Sequence, residues 1–157
     1  MEHEEYMRQA LELARLAMAE GEVPVGCVIV RDGAVVGRGR NRRETAQTAL
    51  GHAELEAIAQ ACRTLGGWRL AGCALYVTLE PCPMCAGAIV NARIPAVYYG
   101  AKDDKAGCCG SVLNLFEERF NHHPRIYRGP LEEECQAVLQ DFFEQLRGPV
   151  EKDLKLL

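Results

Sequence analysis

The chain has 157 residues, a length that one domain accommodates and that buries a core without disulfide staples. Hydrophobic residues make up 48% and charged residues 25%, the balance of a folded globular protein rather than a disordered or fibrous one. The net charge of −4 runs against a protein that coats nucleic acid uniformly, and no apolar run approaches the ~20 residues of a membrane span.

In chain order, Tyr6, Met7, Ala10, Leu11, Ala14, Ala17 and Met18 recur at helical spacing, predicting a helix over 4–19 that Gly21 and Pro24 end. Val25–Val30 is apolar on both faces, as in a central strand. Asp32-Gly33 separates it from Val35-Val36, a short hairpin signal. Residues 41–51 read as loop, and a second helix is expected from His52 to Leu65, stopped by Gly66-Gly67. Ala74–Leu79 reads as a strand that Pro81 breaks. Pro83 suits the first turn of a helix carrying Cys85, Ala88, Ile89 and Ala92. Ala96–Gly100 and Arg125–Arg128 are further strands. The segment between them includes a short helical pattern near Val112–Phe120, and a helical crossover makes this pair parallel. A last helix, Leu131–Arg147, aligns Cys135, Val138, Leu139, Phe142 and Leu146 and is expected to end at Gly148-Pro149. The expected architecture is an α/β three-layer sandwich, a five-stranded mixed sheet with helices on both faces. One domain spans residues 1–149, and 150–157 form a frayed tail.

Charge and cysteine usage refine this picture. Arg31, Arg38, Arg40, Arg42 and Arg43 cluster against a single Asp32, whereas Glu132, Glu133, Glu134, Asp141 and Glu144 have no intervening base. That pattern reads as a basic rim on an acidic body, or as a solvated face. The start Met1-Glu2-His3-Glu4-Glu5 reverses the positive start of a secretory signal, so a cytoplasmic protein is expected. Of eight cysteines, Cys27, Cys73, Cys62 and Cys135 sit at core-compatible positions and read as small buried hydrophobes. Cys108-Cys109, in a glycine-flanked loop, reads as pocket floor or as packing.

Two motifs carry chemistry. His52-Ala53-Glu54 and Pro81-Cys82-Pro83-Met84-Cys85 together supply an imidazole, two thiols and a carboxylate. Zinc takes imidazole and thiolate readily, and a catalytic site keeps a fourth position for water. One zinc ion on His52, Cys82 and Cys85 lowers the water's pKa to about 7, with Glu54 as its base. This is equipment for hydrolytic removal of an amino group. Cys82-x-x-Cys85 alone also occurs in structural zinc and redox motifs, and His-x-Glu alone says almost nothing. In this order, with prolines flanking the first cysteine, they match the known signature of zinc-dependent base deaminases. Both motifs fall at predicted helix N-termini, where the dipole favours thiolate. Residues two apart on a helix do not share a face, so His52 is expected at the cap, leaving Glu54 able to reach the same water.

At these motifs the chain resembles the cytidine deaminase superfamily, and within it the bacterial tRNA-specific adenosine deaminases. The resemblance runs from about Tyr6 to Leu146. It includes Glu22-Val23-Pro24-Val25-Gly26, Asn41, Trp68-Arg69-Leu70, the block from Leu79 to Ala88, Gly100-Ala101-Lys102-Asp103, Gly107–Ser111, Asn121-His122 and Asp141-Phe142-Phe143. The resemblance implies conversion of adenosine to inosine at the wobble position of a tRNA anticodon. It implies a homodimer whose subunits both contact the anticodon stem-loop, one zinc per subunit and no organic cofactor. It also implies that Asn41 hydrogen-bonds the target base, that Asp103 lies near a ribose hydroxyl, and that Val23, Leu79 and Pro81 line the base pocket. Lys105 matches a basic position of the same loop. One departure is Leu50-Gly51, where the family more often has Thr-Ala.

Two other functions share these residues. A deaminase of a free base or nucleoside, such as guanine or cytidine, uses identical chemistry. The arginine cluster near Asn41 and the Gly100–Ser111 block favour the RNA substrate. A non-enzymatic zinc module that binds RNA instead requires a closed site, with Glu54 or another cysteine as fourth ligand. His122 and His123 read equally well as RNA contacts and as loop surface.

Overall fold

The computed structural model describes residues 2–155, with side chains described to Leu146. Five strands, β1 (Gly26–Arg31), β2 (Ala34–Arg40), β3 (Cys73–Leu79), β4 (Ala96–Ala101) and β5 (Arg125–Arg128), form one sheet in the order β2-β1-β3-β4-β5. β1 pairs antiparallel with β2 and β3, whereas β3–β4 and β4–β5 are parallel. The mixed sheet and the parallel last pair agree with the sequence expectation. The β1–β2 turn places Asp32 at φ 50° and Gly33 at φ 77°, the two left-handed residues of a tight hairpin.

Helices α1 (Glu2–Ala19) and α4 (Glu132–Lys155) cover one face, and α2 (Ala53–Leu65) and α3 (Pro83–Asn91) the other. Each face has its own core. Met7, Leu11, Val28, Tyr76 and Cys135 fill the first, while Ile29, Leu75, Val77, Ile89 and Val97 fill the second. The alternation of β1 and β3 side chains between these clusters is the period of two of a strand buried on both faces.

α2 sits unusually close to the sheet. Ala53, Ala57 and Ala61 lie at four-residue spacing, all fully buried. They face Gly37 and Gly39 of β2, where a Cβ would collide with the carbonyl oxygens of Ala57 and Ala53 respectively. Only hydrogen fits at these positions, and this contact places the N-terminus of α2 against the sheet.

Three expectations fail. The β4–β5 connection contains only a 3-10 turn at Leu115–Glu117 with a bridge between Cys109 and Asn114, so the crossover is a shaped loop and not a helix. α4 starts at Glu132, because Leu131 has φ 55°, outside helical geometry. It also continues past Gly148-Pro149 to Lys155. Proline's ring holds φ in the helical range, so the chain keeps its direction despite the missing N–H. Leu156 and Leu157 of the expected tail lie outside the described residues.

A candidate metal and deaminase site

β3 delivers the chain into Glu80-Pro81-Cys82. Cys82 adopts extended geometry as the N-cap of α3, with Pro83 following in the first turn. His52 is likewise extended (φ −97°, ψ 147°) as the N-cap of α2, the position expected from the spacing argument. Neither side chain caps its own helix, which leaves sulfur and imidazole to face each other. His52 Nδ1 lies 3.5 Å from Cys82 Sγ and 3.4 Å from Cys85 Sγ. These donor atoms lie within 4.8 Å of one another, and among the described residues no other group of three His, Cys, Asp or Glu donors is gathered this way.

The electrostatics suit a cation. Hydrogen bonding from Cys85, with further help from His52, depresses the Cys82 thiol to about 4. Cys85 is pushed up by the same bond and by burial. The bond to Cys82 raises His52. Two soft sulfurs and an imidazole within reach of one another are a donor set that zinc fits. Glu54, 4% exposed in the first turn of α2, is raised by burial to about 7. It stands outside the three-donor group. That argues against the closed module in which Glu54 completes the coordination.

The donors open into a cavity of about 550 Å³. Val23, Asn41, Leu79, Asp103 and Lys105 border it together with His52, Glu54 and Cys82, so one space collects most of the residues named from sequence. Cys85 and Pro81 are the exceptions. Cys85 is fully buried and falls outside the cavity wall. Pro81 is also buried and outside the wall, and its carbonyl accepts the Cys108 N–H at 2.8 Å. Asn41 donates from Nδ2 to the Val23 carbonyl (3.3 Å) and accepts the Arg43 N–H on Oδ1 (3.3 Å). Each atom keeps one hydrogen-bonding direction in reserve. Asp103 Oδ1 accepts the N–H groups of Lys105 and Ala106, which turns the loop and leaves the other oxygen uncommitted to these bonds.

Sequence reasoning missed two buried carboxylates and one wall. Glu22 accepts the N–H groups of Glu44 (3.0 Å) and Thr45 (2.6 Å) and the Thr45 hydroxyl (2.5 Å), fastening the 41–51 loop. Burial pushes Glu22 up, but these bonds outweigh it and hold the carboxyl below its ordinary value. Glu80 fastens the loop after β4 in the same way. An acid directly before Pro-Cys at the end of an apolar run was the available signal. Leu139 and Phe143 of α4 form the third wall. Leu139 reads from its spacing as ordinary core packing, and Phe143 entered the sequence reading only through the Asp141-Phe142-Phe143 block, with no role attached.

Other residues take structural roles. His122 Nε2 and His123 Nδ1 each lie 2.7 Å from a backbone carbonyl, of Ile94 and Phe116. Cys27, Cys73 and Cys135 are buried as expected, while Cys62 is only half-buried. Cys108 and Cys109 pack into the α2/α3-side core and are absent from the cavity wall. The arginine cluster is largely spent on ion pairs: Arg40 with Glu20 (2.6 Å), Arg42 with Glu56 (3.3 Å) and Arg31 with Asp32 (3.9 Å). Arg43 alone of that cluster reaches the cavity, where Lys102 and Lys105 join it. Gly51 explains the departure before His52: a Cβ there would stand 2.9 Å from the backbone of Arg42 and Arg43, closer than packing allows.

Comparison with known proteins agrees with this geometry. The profile of the MafB19-like deaminase family matches residues 1–147. The chain is 52% identical over 143 residues to the tRNA-specific adenosine deaminase of Bacillus subtilis (strain 168), covering 90% of this chain and 89% of that protein. A solved structure from studies of A-to-I editing by tRNA:A34 deaminases at the wobble position of transfer RNA superposes with TM-score 0.83 at 45% identity, covering 86% of this chain and 99% of the other. A guanine deaminase from Bacillus subtilis superposes with TM-score 0.64 at 35% identity, each chain covered to 94%. With its three-donor group and buried glutamate at one cavity, this chain belongs to the MafB19-like deaminase family and groups there with the tRNA-specific adenosine deaminases.

Proposed function

We propose that this protein hydrolyses the 6-amino group of adenosine at the wobble position of a tRNA anticodon, leaving inosine and ammonia. The observation that carries the reading is the His52–Cys82–Cys85 group beside buried Glu54, in a chain 52% identical to a tRNA-specific adenosine deaminase.

His52, Cys82 and Cys85 are the residues that would hold zinc. When bound, the ion supplies Lewis acidity that makes water nucleophilic near neutral pH. Glu54, with burial placing its proton affinity at about 7, takes a proton from the water that attacks C6. It hands that proton to the ring nitrogen N1, then carries the proton of the new C6 hydroxyl to the amino nitrogen as the C6–N6 bond breaks, leaving the C6 carbonyl of inosine and ammonia. Val23 and Leu79 press on the base, Asn41 hydrogen-bonds its edge, and Asp103 meets a ribose hydroxyl. Lys105, with Lys102 and Arg43, offers positive charge to the RNA backbone. The base of a single-stranded loop swings into the cavity at less cost than one in a duplex.

We further infer a cytoplasmic homodimer. Its support is the kinship with the tRNA deaminases and the exposed apolar side chains in the loops that border the site: Leu50 (62%), Val112 (55%) and Leu113 (44%). Among the described residues no helix is long and apolar enough to cross a membrane. Light scattering in solution reads the oligomeric state directly, and a monomer at micromolar concentration refutes the dimer.

The deciding experiment incubates zinc-loaded protein with an adenosine-bearing anticodon stem-loop and reads inosine. Conversion at the wobble adenosine alone, with guanine and free adenosine untouched, is expected. Ammonia from guanine with intact RNA moves the protein to the free-base branch, which the guanine deaminase likeness makes the second reading.

A further inference from the structure

Glu80 is 2% exposed, borders the cavity and is not among the residues that hold metal or move protons. Both of its oxygens are saturated. Oε1 accepts the Asp103 N–H at 3.1 Å and the Ser111 hydroxyl at 2.5 Å. Oε2 accepts the N–H groups of Cys109 at 2.9 Å and Ser111 at 3.1 Å. One carboxylate therefore closes a loop at both ends, once at its start and three times at its finish. The backbone of Gly107 lies flush against the same carboxyl group, leaving no room for a Cβ. Between the pinned ends lie Asp104, Lys105 and Ala106, which border the cavity as Asp103 does. Locally they are held by the turn that Asp103 Oδ1 makes with the N–H groups of Lys105 and Ala106, by the Gly107 N–H on the Asp103 carbonyl at 2.8 Å, and by the Cys108 thiol on the Ala106 carbonyl at 3.6 Å.

We propose that Glu80 is a positioning residue of the deaminase: it holds the 102–111 loop in the shape that presents Asp103 and Lys105 to the RNA. The proposal rests on the tRNA reading above for its substrate, and on hydrogen bonding alone for its structural half. A carboxylate is suited to this task because it is acceptor-only. Every group aimed at it is a donor, so a glutamine puts its own N–H₂ against two of them. Leaving those donors unpaired in a buried place costs far more than the net value of the bonds.

The test uses the full-length zinc protein with Glu80→Gln, Ser111→Ala and the double variant. It reads zinc content, amide hydrogen exchange over 102–111, and steady-state kinetics on the anticodon stem-loop. For Glu80→Gln we expect retained zinc and faster exchange at Asp103, Cys109 and Ser111. We also expect KM raised roughly tenfold or more, the scale of one lost charged hydrogen bond, while kcat changes far less. Ser111→Ala removes one bond of the four and shifts KM a few-fold. It adds little on the Glu80→Gln background, because its hydroxyl acts through Glu80. A burial role alone lowers melting temperature without this split between KM and kcat.

Unchanged KM with unchanged exchange in Glu80→Gln overturns the proposal. So does a fall in kcat at constant KM, which places Glu80 in the chemistry, or full additivity of the two variants. If Glu80→Gln does not fold, Ser111→Ala decides by the same two readouts. Absence of any wild-type activity on the stem-loop refutes the substrate reading, and the exchange data still decide whether Glu80 holds the loop.

Discussion

Replacing Gly39 with alanine tests whether the seating of α2 sets the active-site geometry. The new Cβ would meet the Ala53 carbonyl oxygen head-on and stand 2.7 Å from Ala57 N and 2.9 Å from Glu56 Cβ. These are backbone atoms and a helix Cβ, so the helix must move rather than a side chain rotate. Overpacking of this kind costs about 1–3 kcal/mol. For a chain of this size that lowers Tm by roughly 2–12 °C. The collision falls on Ala53, between His52 and Glu54, so the shift reaches the groups that hold metal and move the proton. A displacement near 1 Å in such groups costs on the order of 10²-fold in rate. Gly37→Ala is the internal control. Its Cβ meets the Ala57 carbonyl and stands 3.0 Å from Ala61, one turn further from the site. Thermal melts and stem-loop kinetics on both variants should show comparable losses of stability, with much the larger loss of kcat/KM in Gly39→Ala. Wild-type melting and activity in Gly39→Ala would refute the reasoning, and equal activity losses in the two would show that α2 moves as a whole.

Glu54→Gln should keep zinc and RNA binding yet lose about 10²–10⁴-fold in kcat, the scale of general acid–base catalysis, in a single-turnover inosine assay. Cys82→Ala should bring zinc content far below stoichiometric by metal analysis, with activity falling in parallel, since two donors remain of the three. Glu22→Gln should destabilise the protein by about 1–3 kcal/mol at pH 7, measured by urea unfolding. Because bonds from Thr45 and Glu44 hold the folded-state pKa of Glu22 below its ordinary 4.5, its contribution is complete above that value and is lost as the pH falls through the folded value. The gap between wild type and Glu22→Gln should therefore narrow below pH 4.5, and a gap that widens in acid contradicts the assignment.

The sequence by itself determined the fold class and the chemistry. Strand β1 announced its burial through an unbroken apolar run, and α2 and α3 announced their starts through Pro83 and the cap position of His52. The metal donors and Glu54 were legible because the chemistry needs those residue types at short spacings, and short spacings survive in one dimension. Tertiary structure alone decided the rest. Glu22 and Glu80 look like surface acids until the sheet brings backbone N–H groups to them from more than twenty residues away. Leu139 looks like core until α4 brings it, with Phe143, to the cavity wall. Most of the arginine cluster looked like a binding face until Glu20, Glu56 and Asp32 neutralised it, leaving Arg43 with two lysines from a distant loop. The β4–β5 crossover looked helical because its apolar residues recur. There the chain forms only a 3-10 turn, because Asn114 pairs with Cys109 in a bridge and its side chain takes the Phe116 N–H at 3.1 Å, the local side-chain bond that competes with a helix. Local patterns record what a residue prefers, and long-range contacts set which preference it is allowed to satisfy.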